Sequence, residues 1–181
     1  MHEEFIINRL KNGDRTAFDE IYNLYVNQAL RTAFLITGNK MDSEDIVQQT
    51  FIKCYQTIGQ LKDVTKFKSW FFRILTRIAW KTNKNKLPCV DKIFDSEYTS
   101  SKSSLDIVLE NEQNQILYHA INSLDTKLKA VIILYYYNEL SIKEISDVLC
   151  IRQGTVKSRL FSARKKLQNY FSDYQSEGVL L

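Results

Sequence analysis

The four residues Ser141-Ile142-Lys143-Glu144 form an S-x-x-E capping box. In such a box the serine hydroxyl takes a backbone N–H of the first helical turn, and the glutamate reaches back to the N–H of the serine. A helix therefore starts at this point, with Ile142, Ile145 and Val148 at the spacing of one inward face. Cys150, Ile151 and Arg152 read as a tight turn, and a second helix begins near Gln153 or Gly154. Its buried stripe is Val156, Leu160, Ala163, Leu167 and Phe171, and its outer face shows Thr155, Lys157, Ser158, Arg159, Phe161, Ser162 and Lys165. A short capped helix, a brief turn and a longer basic helix describe a helix-turn-helix. Early positions of the second helix enter the major groove, where Lys, Arg, Ser and Thr donate to base edges and phosphates and an aromatic touches a thymine methyl. A surface helical hairpin has the same outline. Against it, the stretch Ile151–Leu167 holds six basic residues and no acid, whereas a solvated face usually carries interspersed glutamate.

The remainder of the chain reads as helical too. Five glycines and one proline are too few for sheets joined by tight turns, and 44% hydrophobic residues suffice for a packed core. The formal net charge of +4 is mild, but its placement is not. Lys66–Lys86 carries seven basic residues and no acid. Two acid-free basic segments point to two contacts with a polyanion. Cys54, Cys89 and Cys150 are few, odd in number and far apart, and the histidines are His2 and His119. No metal-ligand spacing or disulfide framework follows from them. The sequence offers no paired carboxylates or nucleophile motif, so neither catalysis nor a cofactor is expected. His2, Glu3 and Glu4 replace the basic start of a signal peptide, and no apolar run approaches about 18 residues, so a cytoplasmic setting is expected.

Three parts are expected: a helical block over 1–86, a linker over 87–104, and a second helical block over 105–174. The linker holds Pro88, a serine cluster and the acids Asp91, Asp95 and Glu97. In the first block a helix starting at Asp14 or Thr16 carries Phe18, Ile21, Tyr22, Tyr25 and Ala29, and Gly38-Asn39 ends it. Asp42 or Ser43 is expected to cap the next helix, whose apolar stripe is Val47, Phe51, Cys54 and Ile58. Its opposite face carries Asp45, Gln48, Gln49, Ile52 and Gln56. The exposed Ile52 has two readings, an incidental surface residue or part of a protein-binding surface. A further helix from about Lys66 to Asn83 has the core stripe Phe67, Phe71, Ile74, Leu75 and Ile78. Its expected outer face is Ser69, Arg73, Thr76, Arg77 and Trp80, where Trp80 either stacks on a base or packs on a neighbouring helix.

Three segments resemble motifs of one family. Asp42–Tyr55, DSEDIVQQTFIKCY, resembles region 2.2 of extracytoplasmic-function sigma factors, and Phe67–Ile74, FKSWFFRI, resembles their F-x-[ST]-W-L-[FY]-x-I motif. Leu140–Leu167 resembles their region 4.2, with G-T-V-K-S-R-L intact at Gly154–Leu160. The resemblance implies an all-α protein of two small domains that directs RNA polymerase to promoters and catalyses nothing itself. It implies that Asp45, Gln48, Gln49 and Ile52 bind core RNA polymerase. It implies that Leu61, Lys62, Lys66, Lys68, Trp70, Arg73, Arg77, Trp80 and Lys81 engage the minus-ten element, with an unpaired base captured by the loop Gln60–Lys66. The helix from Gly154 would read the minus-thirty-five element of promoter DNA, and an anti-sigma factor is an implied partner. Gln49, Leu61, Arg77, Lys81 and Ser162 depart from the family's usual residues. Two other functions fit parts of the sequence: a helix-turn-helix regulator acting without polymerase, and a nucleic-acid enzyme.

Overall fold

A computed structural model describes residues 2–84 and 112–176 of the chain; the expected linker over 87–104 lies outside the described residues. The described residues form helices and connecting turns, without a strand. In the first domain α1 spans His2–Lys11, α2 Thr16–Thr37, α3 Lys40–Thr57 and α4 Phe67–Lys84. Two single 3-10 turns, Ile58–Gln60 and Val64–Lys66, join α3 to α4. In the second domain α5 spans Glu112–Asn122, and α6 (Thr126–Ile132) runs into a π-helical turn at Ile133–Tyr137. There α7 (Ile142–Leu149) and α8 (Gln153–Ser176) form the helix-turn-helix.

The helix ends have local causes. Asp14 accepts from the backbone N–H of Thr16 at 2.9 Å, and Arg9 donates to Asp14 and Glu20 at 2.8 and 2.7 Å, which ties α1 to the start of α2. Gly38 ends α2 in the left-handed region (φ 72°), its N–H returned to Phe34 at 2.7 Å, the usual role of a glycine that follows a helix. The cap of α3 is Asn39, not Asp42 or Ser43: its side chain accepts from the Asp42 N–H at 3.0 Å. The helix therefore begins three or four residues earlier than the acid-rich first turn suggested, because Asn39 adopts the extended backbone a cap requires.

Aromatic rings build the first core. Tyr25 lies 5.3 Å from Phe67 and 5.2 Å from Phe71, and Phe51 lies 5.1 Å from Phe71. Val47, Phe51, Cys54 and Ile58 are all buried, as their spacing predicts. Helix α4 departs from expectation: Phe72, Ser69 and Thr76 are buried as well as Phe67, Phe71 and Leu75, while Ile74 and Ile78 are only half-buried. A helix covered on one side buries one stripe. This one is packed by α2 and α3 and also by α7 of the second domain, so two of its polar residues turn inward. The Thr76 hydroxyl donates to the Phe72 carbonyl at 2.6 Å, which satisfies it without solvent.

The two domains share one continuous hydrophobic core, from Ile6 and Leu10 through Phe72 to Ile145 and Leu160. Polar contacts cross between them. Asn138 donates to the Thr32 hydroxyl at 2.9 Å, and Gln28 donates to the Tyr137 carbonyl at 3.3 Å. The rings of Phe34 and Tyr118 stack at 5.2 Å.

Candidate nucleic-acid interface and polymerase-facing helix

The capping box is complete in three dimensions. The Ser141 hydroxyl accepts from the Glu144 N–H at 3.3 Å, and the Glu144 carboxylate accepts from the Ser141 N–H at 2.8 Å. Helix α7 ends at Cys150, a non-glycine residue in the left-handed region (φ 53°) whose N–H returns to Ser146. This reversal sends the chain into α8. Val156, Leu160 and Ala163 are fully buried and fix its inner face, while Leu167 and Phe171 are half-buried. Lys157, Ser158, Phe161, Ser162 and Lys165 are exposed, Phe161 to 70%, and Thr155 and Arg159 are half-buried. At about 100° per residue, Ser158, Ser162 and Lys165 stand opposite the core, and Lys157 and Arg159 project to opposite flanks. A central strip of small and cationic residues flanked by cations matches a floor of base edges between two phosphate ridges.

Arg164 escaped the sequence reading. Its Nε donates to the Tyr136 hydroxyl at 2.7 Å, and its guanidinium lies 5.6 and 5.5 Å from the ring centres of Tyr135 and Tyr136. Both tyrosines belong to the π-helical turn, so this cation braces α8 against the end of α6. Lys166 adds an ion pair at 3.4 Å to Asp125, whose side chain also caps α6. A run of three tyrosines at Tyr135–Tyr137 was the available signal, and nothing in its spacing identified a π-turn.

On α4, Arg77 and Lys81 are exposed and Trp70 and Arg73 are half-buried along one edge, with Lys66 exposed just before the helix. Trp80 is half-buried against the core, so in this arrangement the packing alternative describes it. Lys62 is exposed, and Lys68 pairs with Glu139 of the second domain at 4.0 Å. Leu61 does not face outward: it is 5% exposed, an apolar side chain taken into the core while its carbonyl accepts from the Lys11 ammonium at 2.7 Å. Asp63 shapes the same loop by accepting from the Thr65 N–H and hydroxyl at 3.0 and 2.6 Å, and the Thr65 hydroxyl holds its carboxyl below the usual range.

A groove of about 630 Å³ runs between the domains, with Leu61, Trp70 and Arg73 on one wall and Asp147, Cys150 and Arg152 on the other. The Arg73 and Arg77 guanidinium groups donate to the Cys150 sulfur at 3.4 and 3.5 Å. Together with Coulombic attraction from both arginines, the Arg77 hydrogen bond holds the Cys150 thiol below the ordinary thiol range, whereas burial pushes the Cys54 thiol up to about 12. No group of His, Cys, Asp or Glu that could hold a metal ion occurs among the described residues, and no helix among them is long and apolar enough to cross a membrane.

Helix α3 presents Asp45, Gln48, Gln49 and Ile52 to solvent, with Ile52 50% exposed. Met41 and Tyr55, also exposed, continue the strip at helical spacing on either side of this set. The sequence reading placed Ile52 there alone among apolar residues. Tyr55, one turn on, stands beside Ile52, whereas Met41 lies three turns away with Asp45 and Gln48 between them.

A helix-turn-helix and an aromatic, basic helix on two packed domains define a DNA-binding protein of the transcription machinery. The comparisons with known proteins agree. Residues 21–81 match the family model for sigma-70 region 2, and residues 114–167 match that for sigma-70 region 4. The ECF RNA polymerase sigma factor SigW of Bacillus subtilis is 30% identical over 180 residues, covering 92% of this chain and 95% of the relative. The ECF RNA polymerase sigma-E factor of Haemophilus influenzae is 29% identical over 180 residues, covering 92% and 94%. Among solved structures, CnrH in complex with the cytosolic domain of CnrY superposes with a TM-score of 0.72 at 19% identity, covering 94% of this chain and 97% of that one. The sigma factor RpoE of Bartonella quintana, in complex with the anti-sigma factor NepR, gives 0.67 at 20% identity, covering 86% and 96%. The last two show a shared fold.

The chain belongs to the extracytoplasmic-function sigma factors of the sigma-70 superfamily. It is a non-enzymatic initiation factor that binds core RNA polymerase and directs transcription from particular promoters.

Proposed function

We propose that the two domains divide promoter recognition between them, with 1–86 serving polymerase and the minus-ten element, and 105–174 serving the minus-thirty-five element. The observation that carries this division is the exposed outer strip of α8, where Lys157, Ser158, Phe161, Ser162 and Lys165 stand clear of the core-facing Val156, Leu160 and Ala163. Thr155 and Arg159 border that strip and hold phosphates. In the first domain, Lys62, Lys66, Lys68, Arg73, Arg77 and Lys81 hold the backbone of the melted strand, and Trp70 offers it a ring face. Leu61 and Trp80 support that surface from beneath. Asp45, Gln48, Gln49 and Ile52 dock on core polymerase.

Each DNA reader is weak by itself. Binding polymerase places both on one scaffold, which raises the effective concentration of each at the promoter. An anti-sigma factor is the expected antagonist: structures with this fold include a sigma factor bound to the anti-sigma factor NepR. The working compartment is the cytoplasm, where core polymerase and the chromosome are found. Run-off transcription with purified core polymerase on a library randomised in the upstream element tests the division. Lys157→Ala and Ser158→Ala are expected to relax base preference at one or two upstream positions and leave downstream preferences unchanged. Parental preferences at every upstream position would remove these residues from the readers.

A further inference from the structure

The edge of α4 assigned to DNA carries hydrogen-bond donors and, among its described side chains, no carboxylate or amide. Lys66, Trp70, Arg73, Arg77 and Lys81 follow one another at three- and four-residue steps, so they lie along one edge of the helix. Lysine and arginine offer N–H donors and no acceptor. The hydroxyls of this helix turn to its own backbone. Ser69 donates to the Lys66 carbonyl at 3.0 Å, Thr76 to Phe72 at 2.6 Å and Thr82 to Ile78 at 3.1 Å, and Ser69 and Thr76 are buried as well. In the preceding loop the Asp63 carboxylate accepts from Thr65 and pairs with Lys66 at 3.7 Å. Helix α8 is built differently. Thr155, Ser158 and Ser162 stand among its cations, and a hydroxyl both donates and accepts. The Ser158 hydroxyl donates to the Thr155 carbonyl at 3.1 Å, which leaves its lone pairs free to accept from a base.

We propose that the α4 edge holds the minus-ten strand by its phosphates without distinguishing the bases along it, leaving base choice to α8 and to the single base taken by the Gln60–Lys66 loop. This rests on the assignment of α4 to the melted strand made above. The chemistry of the bases gives the reason. Adenine and cytosine are marked by an exocyclic amino group, guanine and thymine by a carbonyl oxygen. Selecting adenine or cytosine takes a side-chain acceptor, which Arg73, Arg77 and Lys81 lack. For guanine and thymine these cations have the donors, but every nucleotide also brings a fully charged phosphate. A charge-assisted hydrogen bond to phosphate is the stronger one, and it is the same for all four bases. Trp70 adds a ring face, and stacking on a ring tolerates any base. The edge therefore adds affinity and salt dependence, while the hydroxyls of α8 add discrimination.

The test uses the full-length chain assembled with purified core polymerase. Templates carry a minus-ten segment held open by mismatches and randomised on the non-template strand, with the upstream element kept constant. Opening the segment beforehand removes the cost of unstacking, which itself depends on sequence. Arg77→Ala and Lys81→Ala, both at exposed positions, are compared with the parent by sequencing the bound templates at several salt concentrations. Each variant is expected to weaken all templates by one common factor and to lower the salt slope by roughly one unit. The order of bases at every open position is expected to stay that of the parent. A variant that reorders the bases at an open position, by about fivefold or more as a lost base contact does, identifies a reading side chain. That result overturns the inference and leaves α4 on the DNA. Variants with the parent's affinity and salt slope take α4 off the DNA, and the inference falls together with that assignment.

Discussion

Leu160→Ala separates what holds α8 in place from what α8 does. Leu160 is 2% exposed and lies between Val156 and Ala163 on the face that meets the rest of the second domain. Truncating a fully buried leucine costs the transfer energy of the lost carbons plus that of the cavity, about 2–5 kcal/mol. The site has limited means to collapse, because α8 is braced by the Arg164–Tyr136 hydrogen bond at 2.7 Å and the Lys166–Asp125 pair at 3.4 Å. The upper half of that range is therefore expected, about 3–5 kcal/mol. For a chain of this size, whose two domains share one core, each kcal/mol lowers the melting temperature by roughly 2–4 °C. The variant should lose at least about 6 °C on the same scale, measured by circular dichroism at 222 nm. Ser158→Ala removes an exposed hydroxyl and should melt within about 0.5 kcal/mol of the parent. In transcription below its melting point, Leu160→Ala should weaken use of all promoters together, while Ser158→Ala changes their ranking. A Leu160→Ala protein as stable as the parent, with altered promoter ranking, would refute the division of α8 into a structural and a reading face.

Three further outcomes follow from the same geometry. Ile52→Glu places a charge in the middle of the exposed strip on α3; it should weaken core polymerase binding in a titration without changing helicity, and unchanged affinity would remove this face from the interface. Replacing Arg73, Arg77 and Lys81 with alanine should reduce the salt slope of promoter opening by roughly one unit per lost phosphate contact, and a wild-type slope would place these side chains elsewhere. Alkylation of Cys150 by iodoacetamide, followed by peptide mass, should reach half its maximal rate below the pH of about 8.5 usual for a free thiol. The arginines stabilise its thiolate, so Arg77→Ala should move that midpoint upward, while Cys54, buried with its thiol near 12, should stay unreacted in the folded chain.

Where one physical cause dominated, the sequence was enough. The capping box at Ser141–Glu144, the buried stripe of α3 and the inner face at Val156, Leu160 and Ala163 were all legible, because each depends on local hydrogen bonding or on a single periodic face. What involved the other domain was not. Ser69 and Thr76 read as solvent-facing because polar residues on an amphipathic helix usually are, but α4 is packed by α2, α3 and also α7 of the second domain, and both residues are buried. Leu61 stands in a loop flanked by polar residues, and it is joined to α1 through Lys11, fifty residues away in sequence and beyond any local pattern. The buried Asn138–Thr32 hydrogen bond joins residues far apart in sequence, and neither residue type signals a partner. The start of α3 failed for another reason: Asn39, Asp42 and Ser43 are all good caps, and the choice among them was made by backbone conformation at Asn39.

Both tryptophans of the chain, Trp70 and Trp80, lie on α4, and the second domain has none. Trp70 forms part of the groove wall opposite Cys150, and Trp80 is half-buried against the core. An indole transferred from a shielded wall to water emits at longer wavelength. The protein thus carries its own optical gauge: its unlabelled ultraviolet emission reads the surroundings of α4 and of the groove wall, while tyrosines supply whatever signal the second domain gives.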